Sequence, residues 1–126
     1  MRRGDIVTIV LPGAYGKPRP ALVVQSDLFD ALASVTVLPV TSELRAAPLL
    51  RISIEPNTDS GLRKKSQVMV DKAQTVPRDK VGGMIGRLHE DTLVAVESGV
   101  RRLFWNRVSI FAEVPRLMPG TANEYH

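Results

Sequence analysis

Short runs rich in β-branched residues recur through residues 5–88 of this chain, and prolines, glycines or polar residues separate them. Runs of this composition predict strands, which we place at residues 5–11, 21–25, 35–42, 49–54, 67–71 and 82–88. Residues 74–76 either continue the fifth strand or begin another. Residues 26–32 and 78–81 each suit a single helical turn. Short strands at this close spacing are typical of a small β-barrel.

An amphipathic segment at about residues 90–104 predicts one helix after the strands. Its acidic residues Glu90 and Asp91 suit the amino-terminal end of a helix dipole. Its apolar residues recur at helical spacing and form one face: Leu93, Val96, Val100 and Leu103. Strands followed by a helix that packs on them predict a mainly β fold (β+α), a small barrel with a C-terminal helix.

The chain has 126 residues, a length that suits a single domain with a buried core. Hydrophobic residues make up 44% of it and charged residues 24%, so we expect an ordered globular domain rather than a disordered chain. We place this domain at residues 1–105. Residues 106–126 contain Pro115 and Pro119 and end in polar residues, so we expect a partly flexible C-terminal extension there.

The composition restricts the chemistry that this chain can perform. Cysteine is absent and the histidines are His89 and His126, so we expect no disulfide, no metal site and no cofactor. The formal net charge of +4 and the pI near 9.9 are compatible with a phosphate-rich partner. Residues 1–10 do not resemble a signal peptide, and no apolar stretch approaches the ~20 residues that cross a bilayer. The expected protein is cytoplasmic and has no membrane contact.

Arg19 lies between Pro18 and Pro20, immediately before the apolar run that begins at Ala21. Each proline fixes its own φ and keeps the preceding residue out of the α region, so the backbone at Arg19 is restricted from both sides. A guanidinium held rigidly at the start of a strand presents several donors to a phosphate. The alternative is a solvated loop arginine that donates to a backbone carbonyl.

Pro39 interrupts the third predicted strand, and because proline has no N–H we place it at an edge, a bulge or a strand end. That break is expected to turn Thr41 and Ser42 out of the sheet with their hydroxyl groups free. Alternatively, the two hydroxyl groups only cap a turn. On the fourth strand, Arg51 and Ser53 are expected to face solvent.

Three consecutive cations, Arg63, Lys64 and Lys65, precede the fifth strand. A run of like charges is usually a solvated face. The alternative is a patch that contacts the phosphates of a nucleic acid.

Six short pieces of the chain occur together in one order. They are residues 3–7 (RGDIV), 19–24 (RPALVV), 37–42 (VLPVTS), 60–66 (SGLRKKS), 70–71 with 75–76 (VD and TV), and 85–88 (IGRL). Over about residues 2–104 this series resembles the MazF/PemK (Kid-like) toxin family of type II toxin–antitoxin systems. Each piece alone is a weak signal, and the six in order are a specific one.

The resemblance implies a fold similar to an SH3-like barrel, a homodimer, and a metal-independent endoribonuclease that cuts single-stranded RNA, mRNA included, at short sequences. Such a toxin inhibits growth, and a cognate antitoxin blocks its RNA groove with an extended segment. Because residues 63–65 are cationic, we expect that segment to be acidic and to imitate RNA phosphates.

The resemblance also assigns roles to residues of this sequence. Arg19 matches the arginine at the scissile phosphate, Thr41 matches the threonine after the Pro-x motif, and Asp71 matches an acidic residue with an acid–base role. The expected reaction is attack of a ribose 2′-hydroxyl on the adjacent phosphate, which needs a cation and a proton shuttle but no metal. Further RNA contacts are expected from Lys17, Ser42, Arg63, Lys64, Lys65 and Gln67.

The chain departs from the family pattern at three places. The loop before Arg19 has no acidic residue after Asp5. Lys72 stands where a glutamine is common, and Met69 stands where the Kid-like branch has a second catalytic arginine. One alternative function is therefore a relative that binds RNA or antitoxin without cleaving. Another is a CcdB-like toxin, which shares the barrel, traps DNA gyrase and cleaves nothing.

Overall fold

The computed structural model describes residues 1–10, 16–25, 32–47 and 49–117, and the side chains of the C-terminal helix as far as residue 104. The strands within these residues are β1 (Asp5–Ile9), β2 (Arg19–Val23), β3 (Ser34–Thr41), β4 (Arg51–Ile54), β5 (Ser66–Met69), β6 (Gln74–Pro77) and β7 (Val81–Arg87). Their order in the sheet is β4-β5-β3-β2-β1-β7, and β6 also pairs with β3. One helix, α1 (Glu90–Leu117), follows β7.

The third strand, β3, pairs with three neighbours. One of its edges pairs with β2, whereas the other pairs with β6 as far as Val37 and with β5 from Val40 onward. Pro39 lies at this change of partner, which accommodates a residue without an N–H inside a strand. The break predicted at Pro39 is therefore wrong. The strand continues through it, and Thr41 remains paired with Gln67.

The strands β7-β1-β2-β3-β6 curl into an open barrel. A 3₁₀ helix (Arg78–Lys80) joins the two outer strands, β6 and β7, where a single turn was predicted. Val76 of β6 and Val81 of β7 pack in one apolar cluster. The other members of this cluster are Val7, Ile9, Ala21, Val23, Val35 and Val37. They are alternate residues of their strands, so they share one face of the sheet, which is the barrel interior. The predicted fold class is confirmed.

The C-terminal helix packs on the opposite face of the sheet. Leu93 and Val96 are buried there, and Val100 and Leu103 pack beside them, as the helical spacing predicts. They meet the other set of alternate strand residues and the residues near them: Ile6, Leu22, Leu38, Val40, Ile54, Val68 and Val70. The molecule therefore has two apolar layers, one inside the barrel and one under α1.

Two element boundaries differ from the predictions. The helix continues past Phe104, because residues 105–114 contain no glycine or proline that would end it. The fifth strand stops at Met69 and is followed by a 3₁₀ helix (Val70–Lys72), so β6 is a separate strand. The turn predicted at residues 26–32, except its last residue, and residues 118–126 lie outside the described residues. No described helix is both long and apolar enough to cross a membrane.

Candidate active site

Three strand ends that carry predicted site residues lie together at one edge of the sheet. β2 begins at Arg19, β3 ends at Thr41 and β5 begins at Ser66. Because β2 and β5 both run antiparallel to β3, the start of each lies beside the end of β3. We call this the site edge. The segments that enter β2 and β5 and the loop that leaves β3 meet there.

Arg19 and Thr41 project from the same face of the sheet. Ala21 and Pro39 are directly opposite each other, and Arg19 and Thr41 lie two residues beyond them on their own strands. Side chains two residues apart on a strand share a face. Further along the strands the same face lines the inside of the barrel, because Ala21 belongs to the interior cluster. The site therefore lies at the mouth of the barrel.

The same face continues onto β5 and β4. Thr41 is paired with Gln67, and Gln67 with Ser53. The next pair on this face, one step inward from the site edge, is Met69 with Arg51. Residues of β3, β5 and β4 are thus side by side, at the spacing of about 4.8 Å that separates neighbouring strands.

Arg19 is exposed at the mouth of the barrel. It is the first residue of β2, and its pairing with Ile9 fixes its backbone. Within the described residues its guanidinium has neither a hydrogen-bond nor an ion-pair partner, so the alternative of an arginine that donates to a carbonyl is not found there. No described residue occupies its donors, and the side chain is exposed to solvent. Lys17, two residues earlier, is exposed as well.

Thr41 caps a turn, as one of the two alternatives for it predicts. Its Oγ1 accepts a hydrogen bond from the backbone N–H of Glu43 at 3.1 Å. A hydroxyl that accepts one bond still has its own proton to donate, for example to a phosphate oxygen. The capping bond therefore orients the hydroxyl without consuming its donor. Ser42 is exposed beside it.

The cationic run of residues 63–65 leads into β5 at the site edge, and all three residues are exposed. Lys65 Nζ lies 3.6 Å from the carboxylate of Glu55, and the two side chains are 52% and 68% exposed. An ion pair this exposed contributes little to stability and is easily exchanged for another partner. The run is accessible to a ligand that binds at Arg19 and Thr41.

Asp71 lies in the 3₁₀ helix after β5, against Arg51. Its Oδ1 is buried, accepts no hydrogen bond from the described residues and lies 3.7 Å from Nε of Arg51. The Arg51 side chain is only 10% exposed, so the prediction that it faces solvent is wrong. Arg51 lies on the same face of β4 as Ser53, but its side chain folds against Asp71 and is shielded from solvent. Because Arg51 is paired with Met69, β4 carries an arginine directly beside the position where the resemblance finds an arginine missing on β5.

The Asp71–Arg51 pair is separate from the site edge. Asp71 follows Gln67, the partner of Thr41, by four residues along the chain. At the rise of a strand and a 3₁₀ helix this is a distance on the order of 10 Å. The structure thus brings Arg19 and Thr41 together and places Asp71 and Arg51 in a second group further along the same face.

Gln67 is a buried polar residue, 7% exposed, and both ends of its amide bond the same residue. The backbone N–H of Arg45 donates to Oε1 at 2.9 Å, and Nε2 donates to the Arg45 carbonyl at 3.0 Å. The amide keeps a second N–H and a second lone pair, but burial of the side chain leaves RNA little access to them.

The sequence reasoning missed Arg51 as a partner of Asp71 and Arg45 as a partner of Gln67. Alternation along β4 places Arg51 and Ser53 on one face, but only the packing of β4 beside β5 and the following 3₁₀ helix shows that Arg51 contacts Asp71 rather than solvent. Arg45 lies in a loop without periodicity, so no local signal points to its bonds with β5.

Comparison with protein-family models matches residues 2–104 to the PemK-like, MazF-like toxins of type II toxin–antitoxin systems. The chain is 53% identical over 98 residues to a Mycolicibacterium smegmatis protein named "Probable endoribonuclease MazF". That alignment covers 77% of this chain and 90% of the relative.

Solved structures show the same likeness. The Mycobacterium tuberculosis toxin MazF-mt6 superimposes with a TM-score of 0.69 at 27% identity, over 79% of this chain and 95% of that chain. A mycobacterial endoribonuclease in complex with its cognate antitoxin gives a TM-score of 0.67 at 20% identity, over 79% and 90% of the two chains. At that identity the second likeness shows the fold alone.

The chain belongs to the PemK/MazF family of toxins of type II toxin–antitoxin systems. The matched residues include all six pieces of sequence that carry the resemblance, and both Arg19 and Thr41 at the site edge. The resemblance inferred from the sequence is confirmed.

Proposed function

We propose that this protein is a sequence-specific endoribonuclease toxin that cleaves single-stranded RNA, mRNA included, and inhibits growth. The observation that carries the proposal is the available guanidinium of Arg19 on the same edge and face as the Thr41 hydroxyl. An arginine and a hydroxyl in this arrangement suit a phosphodiester, and the neighbouring cations suit the phosphates on either side. The name of the M. smegmatis relative favours cleavage over the CcdB-like alternative.

The proposed reaction is attack of a 2′-oxygen on the adjacent phosphorus. The 2′-hydroxyl gives its proton to a base, the new P–O bond forms, and the bond from phosphorus to the 5′-oxygen of the next nucleotide breaks. That 5′-oxygen takes up a proton, and the products are a 2′,3′-cyclic phosphate and a 5′-hydroxyl. Arg19 stabilises the charge that develops on the phosphorane oxygens, and Thr41 donates a hydrogen bond to the same phosphate.

Asp71 is the candidate for proton transfer. Its side chain is 27% exposed, so RNA that lies along the face can reach it. Asp71 is on the order of 10 Å from Thr41. It can therefore take the proton of the 2′-hydroxyl only when the reacting nucleotide extends from Arg19 inward along the face, toward Asp71. In that arrangement Arg51 holds the carboxylate in place. A general base at this position contributes a factor of roughly 10² to 10⁴ in rate.

The site edge also suits a cognate antitoxin. An extended acidic segment that binds Arg19 and residues 63–65 would cover the surface that RNA needs. The mycobacterial endoribonuclease of similar fold was solved with its own antitoxin, which is the same kind of partner. We place the action of this toxin in the cytoplasm, where mRNA is translated, and propose that it acts as a homodimer.

The test is cleavage of a long RNA by the pure protein in EDTA, with sequencing of the cut ends, followed by single-turnover cleavage of a short RNA that contains the site. Arg19→Ala is expected to reduce the rate on the order of 10²–10³-fold, as for other preorganised donors. Arg19→Lys should restore little, because an ammonium lacks the planar grip on two oxygens. RNA affinity should fall less than the rate, since part of the contact forms only in the transition state.

Matched controls separate the site from general effects. Arg102→Ala removes an exposed arginine of α1 and should leave the rate unchanged. A substrate with 2′-deoxyribose at the cut site should stay intact. A normal rate for Arg19→Ala, or cleavage of the deoxy substrate, contradicts the site and the mechanism. RNA that is bound but never cut would favour the non-cleaving alternative. A normal rate for Asp71→Asn would exclude Asp71 as the base and leave Arg19 and Thr41 untouched.

A further inference from the structure

The loop that leaves β3, residues 42–47, has its backbone fixed by two side chains of the site face. Thr41 Oγ1 accepts from the N–H of Glu43, and Gln67 bonds both the N–H and the carbonyl of Arg45. The Arg45 carbonyl also accepts from the N–H of Ala47 at 3.0 Å. A connecting loop at a surface does not usually need a buried glutamine amide to hold its central residue.

The position of Gln67 determines where this loop lies. Gln67 is the direct partner of Thr41 and shares its face, so its amide extends over the site face beside the Thr41 hydroxyl. Because the amide bonds the backbone of Arg45, that residue is held within one side-chain length of the site edge. An RNA strand that continues from Arg19 past Thr41 and over β5 would pass beside Arg45.

The loop presents its side chains outward. Leu44 is 50% exposed, and Arg45 is exposed with no hydrogen-bond or ion-pair partner among the described residues. A fixed backbone that carries an unpartnered guanidinium is preorganised for recognition, because little backbone freedom is lost on binding. In single-stranded RNA, arginine hydrogen-bonds base edges and stacks on base planes.

We propose that Arg45 is a specificity-determining residue that contacts one base of the recognition sequence, and that Gln67 is the positioning residue that holds it there. This rests on the proposed endoribonuclease function and adds to it the residue that reads the sequence. It also replaces the expected RNA contact of Gln67 with an indirect role, since both ends of the Gln67 amide bond Arg45 and the side chain is buried.

The test is cleavage of an RNA library that is randomised around the cut site, with sequencing of the ends produced by each variant. Arg45→Ala and Gln67→Met should both lose the preference at the same single nucleotide position, at least about 10-fold, and keep the preferences elsewhere. Gln67→Met keeps the size of the side chain and removes both hydrogen bonds. Amide hydrogen exchange at residue 45 should become at least about 10-fold faster in Gln67→Met and stay slow in Arg45→Ala.

Arg63→Ala is the matched control, because a phosphate contact should lower cleavage of all sequences to a similar extent. The same uniform loss in Arg45→Ala, or an unchanged preference in either variant, would overturn the inference. Circular dichroism of Gln67→Met checks that the sheet remains folded, and Arg45→Ala tests the inference without touching the sheet. Absence of cleavage by the unmodified protein would overturn the proposed function together with the inference. Cleavage with the same profile in all variants would overturn the inference alone.

Discussion

Gly61 shows how closely the loop of residues 57–61 packs on β7. Its φ is +69°, and a Cβ at this position would overlap the carbonyl oxygen of Ile85. The same loop pairs with the end of β7, where the N–H of Arg87 donates to the carbonyl of Asp59 at 2.7 Å. The glycine before the cationic run therefore has a structural role. It sets the path by which residues 63–65 reach the site edge.

Gly61→Ala is expected to lower the free energy of unfolding by about 3 kcal/mol or more, since backbone strain and a clash with backbone atoms act together. Gly16→Ala is the matched comparison. Gly16 has a φ of +74°, but no described residue has an atom within 4 Å of its added Cβ, so strain alone should cost about 1 to 2 kcal/mol. Chemical denaturation measures both. Equal losses in the two variants would show that the contact with Ile85 is unimportant.

Single residues also show which parts of the candidate site are visible in the sequence. Arg19 and Thr41 could be found because prolines and strand ends mark them within a few residues. The partners of Asp71 and Gln67 could not. Arg51 and Arg45 lie about twenty residues before their partners, on a strand and in a loop. The β4–β5 pairing brings Arg51 near Asp71, and the path of the loop after β3 brings Arg45 to Gln67. Burial of a charged side chain against a distant carboxylate leaves no trace in local periodicity.

At the level of whole elements, the strands were predicted within a few residues, because β-branched composition is a local property. The neighbours of each strand were not predicted. β3 changes partner from β6 to β5 along one edge, and that change, rather than a break in the strand, accommodates Pro39. The helix face was predicted from its apolar spacing, whereas its end was placed too early.

The cationic residues 63–65 are expected to contact RNA phosphates, and neutralising their charges tests this. Replacing all three cations with glutamine should weaken RNA binding and reduce the slope of log affinity against log salt by about 2, at roughly 0.7 per phosphate on a single strand. Affinity for an acidic antitoxin peptide should fall as well, and the remaining binding should depend less on salt. Binding titrations at several salt concentrations provide the measurement.

Arg101 and Arg102, exposed on α1, are the control for this prediction. Their replacement removes positive charge from another surface and should leave the salt slope nearly unchanged. If neutralising residues 63–65 also leaves it unchanged, the run is a solvated face and contacts neither RNA nor antitoxin.

At the scale of the whole molecule, the row of strands ends at β7, which pairs with β1 alone among the described strands. The loop of residues 57–61 covers this strand from Ile85 onward, but residues 81–84 carry no charge, and Met84 is 60% exposed. Natural proteins usually protect such an edge with a lysine, a proline or a partner. We therefore expect two copies of the chain to associate along this edge.

Light scattering at micromolar concentration should give twice the mass of one chain. Met84→Lys places a charge on the edge and should shift the protein toward the monomer. Val94→Lys adds the same charge at a helix position that is 53% exposed and should leave the mass unchanged. The mass of a single chain for the unmodified protein, or a dimer that tolerates Met84→Lys, would contradict this interface.

The position of β1 between β2 and β7 has a consequence during synthesis. β2 is the strand made directly after β1, whereas β7 is the last strand to leave the ribosome. The proposed site residues have left the ribosome once Asp71 has emerged, yet the barrel that supports Arg19 lacks its outer strand until Arg87 has emerged as well. At about 5–20 residues per second, residues 72–87 take about 1 to 3 s to translate. During that interval the nascent toxin is still attached to an RNA that it could cut, and its barrel is incomplete.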